Sequence, residues 1–375
     1  MRLVTPNRLL KTPDSFFRPY CRYIVSDYEL DELINQSPAT QFRWSSLNSY
    51  ERRYSGQDLN GKRVVIYRHN ACGDQLIASA VPRYLKTLYP DATVHMYCHR
   101  AMMDLWLGNE FVEGCAIPLP MDSDILEAYD YHIFFEGMLE SNSEPDQHNC
   151  YDDMFNFIGF WDVPRQFKHP YIKPMPDDYL RFNALGFRPE DKFILIHLCP
   201  NNLNRAYPPG ETEEVIRQLC IEFDKDWKIV LVGTNLSPEF KSMVNEVTTG
   251  GWRERVVSLV DQTKSFRDLI PFVEFASAII CPDSSIMHLA ACFPDTPVVS
   301  LWGLFHPNDR MLYYPNNTPL RGTCPHSPCR DHNFHLPTEQ CKDAWKLPKE
   351  QIKWCHALAS IPPETIVSKV KEVIR

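Results

Sequence analysis

Residues 278–303 constrain the fold more than any other part of the chain. Residues 278–280 complete an apolar strand pattern, and the Asp-Ser-Ser run at 283–285 supplies side chains that favour the start of a helix. Apolar residues then recur at helical spacing until Pro294 and Pro297, before a second apolar strand pattern at 298–302. The stretch therefore predicts a βαβ unit. Its polar turn is suited to bind an anion, with hydroxyls and a carboxylate beside it for a sugar or a ribose.

The same alternation of strand and helix patterns runs through most of the chain. Short apolar strands are predicted at residues 63–67, 93–97, 129–137, 192–198, 228–234 and 256–259. Helical patterns are predicted at residues 76–88, 102–107, 213–223 and 363–374. Strands that alternate with helices form parallel sheets. The sequence therefore predicts an α/β protein with two lobes, joined by a hinge within the Pro-rich residues 141–189.

Composition narrows the class of protein. Lys and Arg number 39 against 48 Asp and Glu, which gives a net charge of −9 without a concentrated basic tail. This balance does not suggest a protein that binds nucleic acid by bulk charge, although it is compatible with a local basic cleft. No apolar stretch is long enough to span a bilayer, and the first residues lack the apolar region of a signal peptide. We therefore predict a cytoplasmic protein.

Two motifs, Asp283-Ser284-Ser285-x-x-His288 and the Gly-Asp pair at 73–74, resemble those of the bacterial heptosyltransferases, a glycosyltransferase family that includes the ADP-heptose:lipopolysaccharide enzymes. The donor-site signature of that family resembles Asp283-Ser284-Ser285-x-x-His288-x-Ala-Ala and the run Pro-Val-Val-Ser-Leu-Trp-Gly at 297–303. Its first βαβ unit resembles the order Gly-Asp at 73–74, then Pro82, Leu-Lys at 85–86 and Tyr-Pro-Asp-Ala at 89–92. The family usually has Gly where this chain has Ser285. From residues 283–303 alone, a generic Rossmann-like turn remains an equal alternative.

The resemblance implies a glycosyltransferase-B architecture, in which two Rossmann-like doubly wound domains face a cleft. It divides the chain into an N-terminal extension at 1–60, an acceptor domain at 61–180, a nucleotide-sugar donor domain at 181–322 and a Cys-rich tail with a C-terminal helix at 323–375. The extension has no clean periodicity apart from a weakly helical stretch at 27–36. Its purpose is not indicated by the sequence.

Asp74 is the candidate catalytic base. Sugar transfer needs a group that takes the proton of the acceptor hydroxyl, and the resemblance assigns that role to the Asp of the Gly-Asp pair. The alternative is that Asp74 caps the helix that follows it. Glu136 ends a predicted strand and is a candidate on the acceptor side, with loop capping as its alternative.

The candidate donor-binding residues lie in the second lobe. The resemblance places Arg205 where the family carries a basic residue that meets the phosphates, and a solvated loop charge is the alternative. Asp283, Ser284, Ser285 and His288 are expected to hold the sugar and phosphates, although His288 is also consistent with a packed core histidine. The last candidate is Thr234, which follows a predicted strand.

The tail suggests a structural metal site. Thirteen cysteines are many for a reducing compartment, and four of them cluster near the C-terminus with histidines between them. The predicted ligands are Cys324, Cys329, Cys341 and Cys355, and the interleaved histidines are His326, His332, His335 and His356. Four thiolates suit zinc or iron equally. A subgroup of the resembled family that modifies autotransporter proteins carries a tetra-cysteine iron finger, whereas unligated packing cysteines are the alternative.

The resemblance implies an inverting glycosyltransferase that needs no catalytic metal and uses a nucleotide sugar, with an ADP-sugar as the donor and heptose or a similar sugar as the group transferred. The sequence does not decide among three acceptors: a glycan such as lipopolysaccharide core, a protein side chain and a hydroxylated DNA base. The sequence is also compatible with a peripheral association with a membrane. A protein that binds a sugar nucleotide without catalysis is a further alternative.

Overall fold

The computed structural model describes residues 2–8, 10–12, 16–19, 21–25, 27–36, 41–46, 50–69, 71–116, 123–136, 138, 149–198, 203–329, 339–348 and 351–374. The chain forms two compact units. Unit 1 comprises Met1–Ser143 and Cys150–Lys168, and unit 2 comprises Glu144–Asn149 and His169–Arg375. None of the helices in these described ranges is long and apolar enough to cross a membrane.

Unit 1 begins with a small antiparallel sheet of strand order β4-β1-β5, beside the hairpin β2-β3. These elements are β1 (Arg2–Pro6), β2 (Leu10–Lys11), β3 (Phe16–Phe17), β4 (Tyr23–Val25), α1 (Asp27–Gln36) and β5 (Phe42–Ser46). Val4, Phe17, Leu33 and Phe42 are among the side chains that close its core. The predicted helix at 27–36 is confirmed, whereas the sheet around it was not anticipated.

The second part of unit 1 is a parallel sheet of strand order β8-β7-β6-β9. Its strands are β6 (Arg63–Tyr67), β7 (Thr93–Tyr97), β8 (Gly114–Ala116) and β9 (Tyr131–Phe134). The helices of this part are α2 (Cys72–Ala78), α3 (Ala80–Leu88), α4 (Ser123–Glu127) and α5 (Cys150–Phe157). Because all the strands are parallel, the loops that follow β6, β7 and β9 meet at the same edge of the sheet.

Two helix predictions in unit 1 need correction. The stripe at 76–88 was expected to form one helix, but it breaks at Ser79, four residues after Gln75 and three before Pro82. Pro82 has no N–H to donate back along the chain, which favours a new helix start just before it. The segment expected to be helical at 102–107 forms a 3-10 helix at Arg100–Trp106 instead.

Unit 2 contains a parallel sheet of six strands in the order β12-β11-β10-β13-β14-β15. The strands are β10 (Phe193–His197), β11 (Lys228–Val232), β12 (Val256–Ser258), β13 (Ala278–Pro282), β14 (Val298–Trp302) and β15 (Asn317–Arg321). Counted along the sheet by chain order, this is the 3-2-1-4-5-6 arrangement of a Rossmann fold. The sequence order reverses between β10 and β13, so the carboxyl ends of these two strands flank the position at which such sheets bind ligands.

The helices of unit 2 follow the alternation that the sequence predicts. They are α6 (Leu180–Ala184), α7 (Pro209–Glu222), α8 (Pro238–Thr249), α9 (Ile270–Glu274), α10 (Ser285–Ala290), α11 (Asn308–Met311), α12 (Glu339–Trp345), α13 (His356–Ala359) and α14 (Pro363–Val373). Helix α7 begins four residues before the predicted Glu213, since Pro209 occupies a helix start where its missing N–H costs nothing. The α/β class with two parallel-sheet lobes is confirmed.

The C-terminal tail packs against the ends of two strands of this sheet. A Cβ atom built on Gly322 would lie 1.5 Å from the carbonyl oxygen of Ala357, and one built on Gly303 would lie 2.9 Å from Sγ of Cys355. Both glycines directly follow strands, β15 and β14. Tyr207 donates a hydrogen bond of 2.6 Å to the carbonyl of Ile361 and fixes the tail from another side.

Candidate active site

Asp74 lies in the first turn of α2 and is held by a buried arginine. Arg68 Nη2 donates a hydrogen bond of 2.6 Å to Asp74 Oδ2. The Arg68 side chain is 4% exposed and that of Asp74 is 27% exposed, so the carboxylate lies where the ion pair meets the surface of unit 1. Arg68 Nη1 also donates to the carbonyl of Phe135 over 3.0 Å, just after β9. The arginine therefore ties the first turn of α2 to the end of a neighbouring strand.

A buried glutamine completes this cluster. Gln75 Nε2 donates to the carbonyl of Arg68, and Gln75 Oε1 accepts a hydrogen bond of 2.9 Å from Trp106 Nε1. The backbone N–H of Arg68 donates to the carbonyl of Tyr97 over 3.0 Å. Hydrogen bonds made by Arg68 and Gln75 thus join the carboxyl ends of β6, β7 and β9. Sequence reasoning missed Arg68 and Gln75, which flank the Gly-Asp motif.

Backbone strain lies directly before Asp74. Ala71 precedes α2 with a φ of 66° and a ψ of 125°, a conformation that an L-residue with a Cβ atom adopts only at a cost. Strain of this kind persists where the surrounding structure fixes it, and it concentrates at functional sites. Its position three residues before Asp74 fits a turn shaped for function.

Glu136 joins the same edge of the sheet. Its Oε2 accepts a hydrogen bond of 2.7 Å from the backbone N–H of His69, which follows Arg68. This contact matches the loop-capping alternative for Glu136, and it also brings a second carboxylate to the loop that leads into α2. The His69 and His99 rings meet edge to face with centroids 5.4 Å apart beside it.

In unit 2, Asp283 and Arg205 come together after β13. Arg205 Nη1 lies 3.9 Å from Asp283 Oδ2, within ion-pair range but beyond hydrogen-bond reach. Asp283 is 7% exposed, and its Oδ2 has no hydrogen-bond partner among the described residues. The neighbouring Asn204 is 3% exposed and its Oδ1 has none within the same ranges. Buried polar atoms without partners call for a ligand or ordered water, because leaving them unpaired is costly.

The hydroxyl of Ser284 turns to a histidine rather than to its own helix. Ser284 is the N-cap residue of α10, but its side chain makes no capping hydrogen bond. Its Oγ lies 3.0 Å from Nδ1 of His197, the last residue of β10. Burial lowers the pKa of His197 to about 4, so the imidazole is neutral at neutral pH. His197 was missed by sequence reasoning, although its place near the end of the strand predicted at 192–198 was a usable signal.

Two guanidinium groups lie close to one aromatic ring near the same turn. The guanidinium carbon of Arg205 lies 5.7 Å from the centroid of Phe305, and that of Arg310 lies 5.2 Å from it. Phe305 is 3% exposed. Both arginines therefore border the loop after β14, which follows the predicted motif. Phe305 and Arg310 were not identified from the sequence.

The remaining donor-site candidates have different surroundings. Ser285 is the first residue of α10 and does not adopt a positive φ, so a Ser at a position where the family usually has Gly introduces no backbone strain. His288 is buried and its Nδ1 lies 2.7 Å from the Tyr314 hydroxyl, as expected of a packed core histidine. Thr234 is exposed just after β11 and makes no side-chain hydrogen bond within the described ranges. The structure thus brings Arg205, Asp283 and Ser284 together.

The four tail cysteines are only partly gathered. Cys329 and Cys341 lie near enough to Cys355 to help raise its pKa, which burial, the larger cause, brings to about 12. In the described part of the chain, no group of three or more His, Cys, Asp or Glu side chains is arranged to hold a metal ion. His326 pairs with Asp343 over 2.7 Å, and Nδ1 of His356 lies 3.1 Å from the carbonyl of Thr323. His332 and His335 lie outside the described residues.

Comparisons with known proteins agree with the fold and the motifs. Residues 139–338 match the family described as Glycosyltransferase family 9 (heptosyltransferase). ADP-heptose lps heptosyltransferase II of E. coli aligns with a TM-score of 0.61 at 15% identity, over 84% of this chain and 98% of that chain. A family 9 glycosyl transferase from Veillonella parvula aligns with a TM-score of 0.62 at 12% identity, over 85% and 98%.

A third relative aligns over a larger share of this chain. The iron-containing dodecameric glycosyltransferase TibC from enterotoxigenic E. coli aligns with a TM-score of 0.55 at 13% identity, over 90% of this chain and 80% of that chain. TibC has also been solved in complex with ADP-D-β-D-heptose. At these identities the likenesses concern the fold. A sequence search of curated proteins finds no match.

Proposed function

Because the chain belongs to glycosyltransferase family 9, the heptosyltransferase family, we propose that it transfers heptose or a similar sugar from an ADP-sugar to a hydroxyl acceptor with inversion. The family makes the chain a glycosyltransferase that uses a nucleotide sugar, so the non-catalytic alternative is set aside. The observation that carries the finer proposal is the Asp74 carboxylate, which one buried arginine holds at the surface of unit 1.

Asp74 acts as the general base. The acceptor hydroxyl donates its proton to the carboxylate while the acceptor oxygen attacks the anomeric carbon of the donor sugar. The bond from that carbon to the diphosphate oxygen breaks, and the electron pair leaves with the diphosphate. A single displacement of this kind inverts the configuration of the anomeric carbon. Glu136 steadies the loop before Asp74 through the N–H of His69.

Unit 2 binds the donor. Arg205 offsets the negative charge that develops on the departing diphosphate, and it supplies a positive charge without a metal ion. The Asp283 carboxylate accepts hydrogen bonds from hydroxyl groups of the donor, and the Ser284 hydroxyl pairs with them, since a carboxylate suits hydroxyls and repels phosphates. The unpartnered Oδ2 of Asp283 supports this assignment. The structure of TibC with ADP-D-β-D-heptose favours an ADP-sugar as donor.

The assignment of Asp74 is tested by a single isosteric change. Asp74→Asn removes the basic oxygen and keeps the shape, so we expect loss of transfer by roughly 1,000-fold or more with unchanged ADP binding. Asp91→Asn, the same change in an exposed turn of unit 1, is the matched control. Near-full turnover of Asp74→Asn would end the proposal. Donor binding is followed independently by the rise in melting temperature with ADP.

The acceptor is identified by a panel with one member of each class. The protein is incubated with ADP-heptose and either lipopolysaccharide core, a Ser- and Thr-rich polypeptide or a hydroxymethylated DNA duplex, and mass spectrometry scores the addition of one heptosyl unit. A DNA acceptor is expected to bind with a steep salt dependence. The net charge of −9 disfavours DNA, so a shallow dependence is the expected result.

The tail is proposed to hold a structural zinc or iron ion through Cys324, Cys329, Cys341 and Cys355. Cys329, Cys341 and Cys355 are neighbours, and a metal ion that displaced their thiol protons would find in them the soft sulfur donors that both metals accept. The ion would stabilise the tail and take no part in transfer. Elemental analysis of the purified protein tests this, with the Cys329→Ser variant expected to lower the metal content. The site would be excluded if the purified protein contained no zinc or iron and its melting temperature did not change when either metal was added.

A further inference from the structure

Arg68 is the most deeply buried cation that contacts a proposed catalytic group. Its side chain is 4% exposed, and a guanidinium taken out of water needs partners that offset the loss of hydration. Its partners include Asp74 Oδ2 at 2.6 Å and the carbonyl of Phe135 at 3.0 Å. Removing such a group would leave polar atoms without their hydrogen bonds. The guanidinium is therefore held at this place by the polar atoms with which it pairs.

The two oxygens of Asp74 have different surroundings. Oδ2 is bound to Arg68, whereas Oδ1 has no hydrogen-bond partner within the described part of the chain. The Asp74 side chain is 27% exposed, so it remains accessible to a substrate. A carboxylate held by one oxygen cannot rotate freely, and its second oxygen keeps a fixed position. That second oxygen is the one able to accept a proton from an acceptor hydroxyl.

The backbone of Arg68 is anchored as well. Its N–H donates to the carbonyl of Tyr97, and its carbonyl accepts from Gln75 Nε2. Gln75 is in turn fixed by Trp106 Nε1 over 2.9 Å. The backbone and the guanidinium of Arg68 are therefore both immobilised by neighbouring elements, and its orientation is transmitted to Asp74.

We propose that Arg68 is a positioning residue that fixes the Asp74 carboxylate with Oδ1 directed to the acceptor hydroxyl. The proposal rests on the proposed role of Asp74 as base. Holding a base at a productive angle contributes to the rate because misplacement by about 1 Å costs on the order of 100-fold. Neither family motif in the sequence contains Arg68, and its role emerges only from the contacts around Asp74.

The test compares Arg68→Met and Arg68→Lys with the wild type. Arg68→Met keeps the apolar stem but removes the fork, and we expect kcat to fall roughly 100-fold while the Kd for ADP stays within about 2-fold. Arg68→Lys restores a donor to Asp74 and should recover about 10-fold of the loss. Lys86→Met, which breaks another ion pair of unit 1 with Glu113, is the matched control and should leave kcat unchanged. Transfer is measured with the acceptor that the panel identifies, or as ADP release into water.

Crystal structures of the two variants with ADP give a readout that does not depend on turnover. We expect the Asp74 side chain to leave its position in Arg68→Met and to keep it in Arg68→Lys. The proposal is overturned if Asp74 stays in place in Arg68→Met, or if that variant binds ADP and retains wild-type kcat. An Arg68→Met variant that loses ADP binding and kcat together would show a structural role only. If Asp74→Asn itself keeps full turnover, the assignment of the base fails rather than the role of Arg68 in orienting it.

Discussion

The Nδ1 atom of His197 lies 3.0 Å from the Oγ atom of Ser284, although the two residues are 87 positions apart in the sequence. This hydrogen bond joins the carboxyl ends of β10 and β13, the neighbouring strands between which the sequence order reverses. It also diverts the Ser284 hydroxyl from capping α10. Because burial keeps His197 neutral, the imidazole can orient the hydroxyl without adding a charge beside the donor.

The first prediction concerns this pair. Ser284→Ala should weaken ADP binding by about 10-fold, since one hydrogen bond to a ligand contributes about 1 to 1.5 kcal/mol. His197→Phe should weaken it less, because the hydroxyl remains but loses its orientation. Isothermal titration calorimetry measures both. In the double variant, the His197 change should add little to the Ser284 change, since residues that share one interaction are not additive.

Ser258→Ala is the matched control for Ser284→Ala. Ser258 ends β12 in the same sheet, and its Oγ accepts a hydrogen bond from the N–H of Val260. Its loss should leave ADP affinity unchanged. Full additivity of the Ser284 and His197 changes would show that the two side chains act separately, and the coupling inferred from their distance would then be wrong.

The second prediction separates charge from shape at Arg205. Arg205→Met should lower the affinity for ADP by 10- to 100-fold and leave that for adenosine nearly unchanged, because the guanidinium meets the diphosphate. Arg205→Lys should keep part of the ADP affinity. Arg217→Met, on the exposed face of α7, is the control. An equal loss for adenosine and ADP would place Arg205 away from the phosphates.

The sequence predicted the elements whose signal is local. Strand β13, the polar turn and α10 follow from an apolar run, N-cap residue types and helical spacing within one short stretch. The N-terminal sheet could not be predicted in this way, since it pairs β1 with β5 across more than thirty intervening residues whose patterns are short and irregular. Pairing of this kind depends on tertiary packing.

The same distinction applies to the candidate site. Asp74, Arg205 and Asp283 lie in or beside motifs, so their residue types and spacing pointed to them. Arg68 and His197 act through partners that lie across strand ends, and no spacing in the sequence links His197 to Ser284. His288 was identified by its place in a motif, but the contact with the Tyr314 hydroxyl indicates packing.

The third prediction is a loss of stability in mild acid that depends on His132. His132 is fully buried: Nε2 donates to the Leu126 carbonyl over 3.1 Å, so Nδ1 accepts from the Tyr67 hydroxyl at 2.9 Å. Burial lowers the pKa of His132 from 6.5 to about 4. Its contribution to stability is therefore present above pH 6.5 and is lost as the pH falls toward 4. Between pH 7 and pH 5, the free energy of unfolding should fall by about 2 kcal/mol because of His132.

His132→Gln tests this, because an amide can donate to Leu126 and accept from Tyr67 without titrating. Urea unfolding at pH 7 and pH 5 should show a smaller loss of the free energy of unfolding in the variant than in the wild type. Carboxylates such as Glu239, whose pKa the Lys353 hydrogen bond lowers from 4.5 to about 2, lose their contribution only below this window. Equal losses in both proteins would exclude His132 as the cause.

The fourth prediction concerns the docking of the C-terminal tail. In Gly322→Ala the added methyl would lie 1.5 Å from the Ala357 carbonyl oxygen, a backbone atom that cannot move aside alone. We expect the free energy of unfolding to fall by several kcal/mol, which would be seen as a lower melting temperature and faster proteolysis of the tail. Gly303→Ala should cost less, since its nearest contact is the Cys355 side chain at 2.9 Å. Gly210→Ala, with nothing within 4 Å in α7, is the control and should be neutral or slightly stabilising. If the Gly322→Ala and Gly210→Ala variants had the same melting temperature, the tail would not be docked against β15 as tightly as the structure shows.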